Sequence, residues 1–307
     1  MSVTRHLRPA AALAVLAALL AAGPTGAQIR LDGEEDLDFD RPEAWAMKWF
    51  SSLVVMTSLG GPPELQPGGW ELAFEGGWVP HLSKEERTVG FIGNKEEDLN
   101  RTSVFGRIRL SAGLPARFTL TAGWVPPVEI DGATPHLLAL SLGRPLYEGR
   151  SFRLDGSVTA QGGSFEGDFT CPEDAARAGD DPVRNSFNCL EPSDDEMTVR
   201  AAGLELAGSW RLAGAPRWSP YATLAGHWFD NEFEVDARYG TIDDHTVLLS
   251  DGTTIAATAG LGYQAGERTR LAAELFYSPL DVVRDPGRGS ENDALFNARV
   301  LLGYRLR

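Results

Sequence analysis

Histidines are the first residues to consider for catalysis, because imidazole is the commonest general acid or base near neutral pH. After residue 27, three histidines stand apart from any acidic neighbour, whereas His245 directly follows Asp243-Asp244. Adjacent residues in an extended chain point apart, and no G-x-S-x-G nucleophile motif is present. The sequence therefore predicts that the protein is not an enzyme, with Asp244 and His245 as the closest candidates for a hydrolytic pair.

Cys171 and Cys189 are the only cysteines, and the segment between them is rich in Asp, Pro and Gly. A metal site needs more ligands than this segment offers, so neither a metal nor a cofactor is expected. In an exported chain, two such thiols are expected to form one disulfide. This cross-link would remove chain entropy from the unfolded state worth about 3 kcal/mol.

The N terminus has the pattern of an export signal. Arg5 and Arg8 precede an apolar run from Ala10 to Ala22, which is too short to span a bilayer and stops at Gly23-Pro24. Thr25 and Ala27 supply the small residues of a cleavage site. We therefore expect a signal peptide at residues 1–27 and a mature chain from about Gln28.

Charge and hydropathy limit the remaining possibilities. Residues 1–27 hold two of the 28 Lys and Arg residues and none of the 43 acids, so the mature chain has a net charge of about −17. This acidity argues against a nucleic-acid partner. No mature segment has the roughly eighteen consecutive apolar residues of a transmembrane helix, so the chain is either soluble or a membrane β-barrel.

From Trp70 onward, apolar and polar residues alternate in segments about as long as a tilted strand that crosses a bilayer. Ten such segments are present. They are 70–79, 103–113, 116–126, 136–146, 150–162, 197–212, 218–230, 253–264, 269–279 and 294–305. The alternation predicts an all-β protein of about ten antiparallel strands.

The two faces of these strands differ sharply in charge. Successive side chains of a strand point to opposite sides of the sheet, and one of the two faces is uncharged through the middle of the strands. Thirteen charged residues of the strands fall on the other face. They are Glu71, Glu75, Arg107, Arg109, Arg117, Arg153, Asp155, Glu205, Arg211, Arg270, Glu274, Arg299 and Arg305. If the sheet closes into a barrel, these side chains would form an ion-paired network in the lumen.

The connections between the strands favour a membrane barrel over a soluble sandwich. Short turns (Leu114-Pro115, Glu148-Gly149, 213–217, 265–268) alternate with longer connections. The longer ones are 80–102, 127–135, 163–196, 231–252 and 280–293. Transmembrane barrels have this arrangement, with short turns in the periplasm and long loops outside.

Aromatic residues cluster at the ends of the predicted strands. One group lies beside the long connections, namely Trp78, Phe105, Trp124, Trp228, Tyr277 and Phe296. The other lies beside the short turns, namely Phe152, Trp210, Trp218, Tyr263 and Tyr304. Two such belts are typical of side chains placed at the two membrane interfaces.

Through its alternation, loop pattern and aromatic belts, the chain resembles the small outer-membrane barrel proteins of Gram-negative bacteria over residues 70–307. The resemblance implies a transmembrane up-and-down β-barrel in the bacterial outer membrane. It also implies contact with membrane lipid and lipopolysaccharide, and insertion by the barrel-insertion machinery. One departure is the C terminus, because such proteins usually end on an aromatic residue whereas this chain ends Tyr304-Arg305-Leu306-Arg307.

Residues 28–69 precede the predicted barrel. The acidic stretch 28–42 lacks the glycine turn and distal Glu of a calcium-binding loop, so we expect a solvated periplasmic tail. The stretch from Pro42 to Leu59 fits either a short helix or an extra strand. A helix packed at or inside the barrel mouth is favoured, since an extra strand would break the alternation of the loops.

Connection 163–196 carries ten acids against Arg177 and Arg184. Exposed loops are commonly charged simply to remain solvated, and we favour this interpretation. The alternative is a surface that binds lipopolysaccharide through divalent ions or that docks a cationic ligand.

Three functions remain open from the sequence. The favoured one is a barrel with a closed or narrow lumen and a structural or surface-interaction role. The alternative is a narrow anion-preferring channel, because arginines outnumber acids among the inward charges. A hydrolase using Asp244 and His245 is the third.

Overall fold

The computed structural model describes residues 28–130, 132–285 and 287–306. The expected signal peptide at 1–27 lies outside the described residues. Ten strands form the barrel wall. They are β2 (Trp70–Trp78), β5 (Val104–Gly113), β6 (Thr119–Val125), β7 (Ala133–Glu148), β8 (Phe152–Gly167), β9 (Asp195–Trp210), β10 (Trp218–Glu234), β12 (Ile242–Gln264), β13 (Thr269–Ser278) and β16 (Leu295–Arg305).

Each wall strand pairs antiparallel with its neighbour in sequence, and the last strand, β16, closes the barrel against the first, β2. The register of this closing pair runs from Arg299 opposite Gly77 to Arg305 opposite Glu71. The ten predicted strands and the up-and-down order are therefore confirmed. Closure leaves the wall without free edges at membrane level, as a bilayer requires.

Several wall strands continue beyond their predicted ends at the long-loop end, by which we mean the end of the barrel opposite the four short turns. β12 has 23 residues, and β10 pairs with it as far as Glu234 opposite Val247. Much of the connection predicted at 231–252 is therefore strand, as is the beginning of 163–196. The sequence does not show this because these extensions leave the membrane and lose the regular alternation.

The apolar face points outward, and many of its large apolar side chains are exposed on the barrel surface, including Leu204, Leu275 and Phe296. The predicted aromatic belts are also outward, with one exception. Phe105 is only 9% exposed and lies inside the barrel, where its ring faces the Arg299 guanidinium. Its place on β5 gives it the inward parity, so its assignment to the outer belt was wrong.

The acidic segment after residue 28 is not an unpaired periplasmic tail. Residues 29–36 form strand β1 (Ile29–Asp36), which pairs in parallel with residues 242–249 of β12 at the long-loop end. β13 is much shorter than β12 and pairs only with its residues 257–264, so the edge of β12 above that level is open. β1 covers part of this edge and prevents it from pairing with another chain.

Helix α1 (Pro42–Val54) follows β1 and is buried inside the barrel. Among the described residues, no helix is long and apolar enough to cross a membrane. The remaining elements are short and belong to the connections at the long-loop end, apart from a 3₁₀ turn at Pro115–Arg117. They are α2 (Lys84–Arg87), β3 (Thr88–Val89), α3 (Gly90–Gly93), β4 (Lys95–Glu96), α4 (Glu173–Arg177), β11 (Ala237–Tyr239), β14 (Asp281–Val282) and β15 (Glu291–Asn292).

The predicted disulfide between Cys171 and Cys189 is present, with Cα atoms 5.6 Å apart. Both cysteines are buried against Val235, Ala237 and Tyr239. The disulfide thus lies where connection 163–196 packs on the hairpin of β10 and β12. We call this part of the connection, around Cys171 and Cys189, the disulfide-bonded layer.

Candidate functional site: a lumen filled by the chain's own N-terminal segment

Residues 42–69 run through the lumen from the long-loop end to the short-turn end, and we call them the inner segment. Its first part is α1, which begins with Pro42 at the first helical position and Glu43 in the first turn, both favourable at a helix start. All residues of α1 except Phe50 are buried. A helix buried on every side must satisfy its polar groups through the barrel wall.

The outer half of α1 is held by side-chain hydrogen bonds to the wall and its connections. Trp45 Nε1 donates to the Asp293 carbonyl at 3.2 Å, and Lys48 Nζ donates to the Asp281 carbonyl at 2.9 Å. Deeper in the barrel, Ser51 Oγ lies 2.7 Å from Asn231 Oδ1 of β10. These contacts fix the depth of the helix.

The last carbonyls of α1 are bound by wall arginines. Arg299 of β16 donates from Nη1 to the Val55 carbonyl at 2.9 Å and from Nη2 to the Leu53 carbonyl at 3.1 Å. Arg107 of β5 donates to the Val54 carbonyl. The final carbonyls of a helix have no intrahelical partner and carry partial negative charge, so cations here satisfy both needs.

Glu75 joins two arginines on the neighbouring strand. Its Oε2 atom accepts from Arg109 Nε at 2.7 Å and from Arg107 Nη1 at 3.3 Å. Arg109 also donates from Nη1 to the Thr57 carbonyl at 2.7 Å. The Glu75 carboxylate therefore balances part of the positive charge of Arg107 and Arg109, and both arginines also donate hydrogen bonds to the inner segment.

Two further acids bind the inner segment directly. Glu274 accepts hydrogen bonds from Thr57 Oγ1 and from Tyr221 Oη, each at 3.0 Å. The carboxylate of Glu205 accepts from the Ser58 backbone N–H at 3.1 Å. The chain at residues 57–58 is thus held on one side by arginine donors and on the other by carboxylate acceptors.

Nearer the short turns, Arg270 pairs with Glu71, with Nη2 to Oε1 at 2.8 Å. The inner segment passes this pair at Gly60, whose φ of +78° lies in the left-handed region. A Cβ there would lie 2.7 Å from Arg270 Nη1 and 2.8 Å from Ala272 Cβ. Only glycine fits both the backbone conformation and the close approach to the wall.

The last five predicted charges lie at the short-turn end, where Arg305 Nε is 4.0 Å from Glu71 Oε2. Arg153 pairs with Asp155 at 2.7 Å, and both are buried. Arg117 and Arg211 are exposed and bind Glu148 at the rim. Their placement in the lumen was wrong, because Arg117 lies in the turn after β5 and Arg211 lies just beyond the end of β9.

Little space remains between the inner segment and the wall at mid-lumen. The described residues enclose a cavity of about 30 Å³ beside residues 56–63, which has room for a water molecule or two. Gly123 of the wall makes this close packing possible, because a Cβ there would lie 2.8 Å from Met56 Sδ. The lumen is filled at this level.

The structure does not bring Asp244 and His245 together. Asp244 is buried and bonds to Tyr239 Oη, whereas His245 lies on the other face of β12, 3.4 Å from Asp236 and 3.5 Å from Asp243. In the part of the chain that the structure describes, no group of three or more His, Cys, Asp or Glu residues could hold a metal ion.

Sequence reasoning missed the groups of the inner segment that bind five of the wall charges. These are the backbone carbonyls of Ser52, Leu53, Val54, Val55 and Thr57, together with Ser58 N–H and the Thr57 hydroxyl. A backbone group has no signature in a sequence. The one available signal was the excess of inward arginines over inward acids, which required further acceptors.

No protein-family model and no curated protein sequence matches the chain. Among solved structures, it is similar to the outer-membrane protease OmpT of Escherichia coli, with 10% identity over 78% of this chain and 94% of that protein and a TM-score of 0.39. An outer-membrane channel of Pseudomonas putida F1 has 11% identity over 79% of this chain and 97% of that chain, with a TM-score of 0.42. Ail, the attachment invasion locus protein of Yersinia pestis, has 11% identity over 78% of this chain and all of that chain (100%), with a TM-score of 0.27.

At these identities the similarities assign no role, and the architecture rests on the structure itself. A closed antiparallel wall satisfies its backbone hydrogen bonds, and its outward face carries an uncharged apolar band with aromatic residues at both margins. These features together meet the requirements of a protein that spans a bilayer with strands. The chain is a transmembrane β-barrel of the type found in bacterial outer membranes.

Proposed function

We propose that the protein is a plugged, non-conducting outer-membrane barrel with a structural or surface-interaction role. The inner segment acts as a permanent plug and is an integral part of the folded barrel. The long-loop end, with β1 and the disulfide-bonded layer, is then the working surface of the protein.

The observation that carries this proposal is the binding of the α1 carbonyls by Arg299 and Arg107. Removing the plug would break these hydrogen bonds to charged groups, each of which contributes about 1.5–3 kcal/mol. The helix would at the same time lose the donors for its last turn. Plug and wall therefore stabilise each other, which favours a barrel that stays closed at rest.

Planar-bilayer conductance tests the proposal, using protein purified from outer membranes. The wild-type protein is expected to show no steady pores. Deletion of residues 43–56 should open a passage, whereas deletion of residues 29–36, which lie outside the lumen, should leave the barrel closed. Large steady pores in the wild type, or a folded 43–56 deletion that remains silent, would overturn it.

A narrow anion-preferring passage is the second candidate, and the charge at mid-lumen favours it for the unplugged barrel. In the 43–56 deletion, Arg107 and Arg299 lose their carbonyl acceptors and, together with Arg109, face the lumen with only part of their charge balanced. The 43–56 deletion should then prefer anions. Adding Glu75→Gln to this deletion should increase that preference, because Glu75 is the carboxylate shared by two of these arginines.

Contact with lipopolysaccharide is also proposed for the long-loop end. Connection 163–196 exposes many of its acids there, and divalent ions could link them to phosphate groups of neighbouring lipid. Recognition of β16 by the barrel-insertion machinery remains a prediction.

A further inference from the structure

A cavity of about 490 Å³ lies at the long-loop end, above the filled part of the lumen. It is bounded by β1, the outer half of α1, the connection around residues 89–99 and the extended wall strands. Its volume lies within the range of small-molecule sites, about 300–1,000 Å³. It is separate from the arginine contacts that hold the plug.

The wall of this cavity is an apolar row that crosses four neighbouring strands at one level. Phe165 of β8 lies opposite Met197 of β9, which lies opposite Phe233 of β10, and Phe233 lies opposite Leu248 of β12. All four side chains line the cavity. Directly below this row the inward surface of the same strands stays apolar at Val199, Ala201 and Phe229, and the first inward charge below it on β9 is Glu205.

Aromatic rings make up much of the lining. Phe50 of α1 lies with its ring centroid 6.0 Å from that of Phe165 and 6.2 Å from that of Phe169. Phe169 in turn lies 6.3 Å from Phe233. Aromatic pairs at such distances attract one another through ring faces and edges, and an aromatic ligand could make the same contacts.

The mouth of the cavity includes two residues in an unfavourable backbone conformation. Phe91 (φ 49°, ψ 54°) and Ile92 (φ 59°, ψ 43°) both lie in the left-handed region, which is rare for bulky and β-branched residues. Glu43 of α1 accepts from the Ile92 N–H at 2.6 Å, and Phe91 stacks on Phe187. Such conformations cost about 1–3 kcal/mol each and cluster at ligand clamps.

The charged groups around the cavity are mostly acidic. Glu34, Glu35, Glu43, Glu97 and Asp244 line it, against Arg41 as the one basic residue among its described lining residues. The Glu97 side chain extends into the space beside Gly90, where a Cβ would collide with it. An anionic ligand would therefore meet carboxylates, whereas a hydrogen-bond donor would meet acceptors.

We propose that this cavity binds a neutral, largely aromatic small molecule that carries one hydrogen-bond donor. Its rings lie among the phenylalanines of the lining, and its donor faces the carboxyl group of Glu97. Molecules of the same shape that carry a negative charge are rejected. The proposal does not depend on whether the lumen conducts.

A matched pair of fluorescent probes tests this proposal. N-phenylnaphthylamine is neutral and has one N–H donor, and anilinonaphthalenesulfonate adds a sulfonate to the same ring system. Both are titrated onto the protein in nanodiscs, with empty nanodiscs as background. We expect saturable binding of the neutral probe at one site and binding about tenfold weaker for the anion, because like charges meet in the site.

Variants locate the site. Ala46→Phe and Leu248→Trp add bulk from opposite walls of the cavity and should each abolish saturable binding of the neutral probe. Leu275→Trp adds an indole on the lipid face and should leave it unchanged. Glu34→Gln removes a carboxylate that lines the cavity, so it should reduce the preference for the neutral probe.

The outcomes separate clearly when folding is checked by the resistance of the barrel to unfolding in cold detergent. Loss of binding in both folded cavity variants, with retention in Leu275→Trp, supports the proposal. Absence of saturable binding in the wild type, or equal binding in wild type and both cavity variants, overturns it. Equal affinity for the two probes overturns the assigned ligand class.

Discussion

The interior of this barrel has two regions of opposite character. At mid-lumen the wall presents Arg107, Arg109 and Arg299, and the inner segment fills the remaining space. At the long-loop end four other strands, β8, β9, β10 and β12, present an apolar row, and a cavity of about 490 Å³ remains between this row and α1. The same barrel thus contains a filled polar region and a hollow apolar one.

The difference arises from what α1 offers at each level. Its C-terminal end presents carbonyls without helical partners, which attract guanidinium groups. Its outer half presents Met47 and Phe50, which contact the aromatic lining but do not fill it. The comparison teaches that closure and ligand space can coexist in a barrel of this size when the plug is shorter than the wall.

The largest effect is expected from removing a charge that holds the plug. Arg299→Met leaves the Leu53 and Val55 carbonyls without their donor, and leaves Glu75 and Glu274 with less positive charge nearby. We expect a loss of about 3–5 kcal/mol in the free energy of unfolding, measured by urea denaturation in lipid vesicles. Arg117→Ala at the exposed rim is the control and should cost less than about 1 kcal/mol. Similar losses in both variants would contradict the central role of the plug contacts.

A second prediction compares the two faces of one strand. Leu206 of β9 is 49% exposed on the lipid face, and Ala207 is buried toward the lumen. Leu206→Arg should cost about 2–4 kcal/mol of stability in a bilayer, because a charge at mid-membrane loses its hydration. Ala207→Ser should cost far less, since polar groups already line that side. If both substitutions impaired refolding into vesicles equally, the assignment of Leu206 to the lipid face and Ala207 to the lumen would be wrong.

The ten strands and the helix could be predicted because each depends on a local pattern, period two in the wall and apolar residues at helical spacing around Trp45 and Trp49. The row formed by Phe165, Met197, Phe233 and Leu248 could not, because three of its members fell in segments that the sequence assigned to loops. The pairing of β1 with β12 was equally hidden. It depends on the difference in length between β12 and β13, which only the folded barrel reveals.

The smallest effect concerns pH at the hollow end. Burial raises the pKa of Glu97 from 4.5 to about 8, against the opposing influence of Lys95 and with smaller contributions from Asp195 and Glu43. Because the pKa of Glu97 is higher in the folded chain than in the unfolded chain, the protonated form of Glu97 stabilises the fold. This stabilisation is complete below the unfolded pKa and is lost as pH rises through about 8.

Hydrogen exchange of residues 88–97 should therefore accelerate between about pH 5 and pH 9 beyond its intrinsic dependence. Glu97→Gln should remove this extra acceleration, because the amide does not titrate. An unchanged pH profile in that variant would show that another group is responsible. Protection at mid-lumen should stay constant over the same range and sharpen the contrast between the two regions.

The most direct test of the account is whether β1, which precedes the inner segment, lies on the opposite side of the membrane from the short turns, where the inner segment ends. Gly33 of β1 and Gly266 in the short turn after β12 both have open space where a Cβ would be placed. Gly33→Cys and Gly266→Cys can therefore be labelled with a membrane-impermeant maleimide in intact cells and in cells with a permeabilised outer membrane. If the chain threads the barrel, Gly33→Cys is labelled in intact cells and Gly266→Cys only after permeabilisation. Labelling of both positions from the same side would contradict the threaded plug.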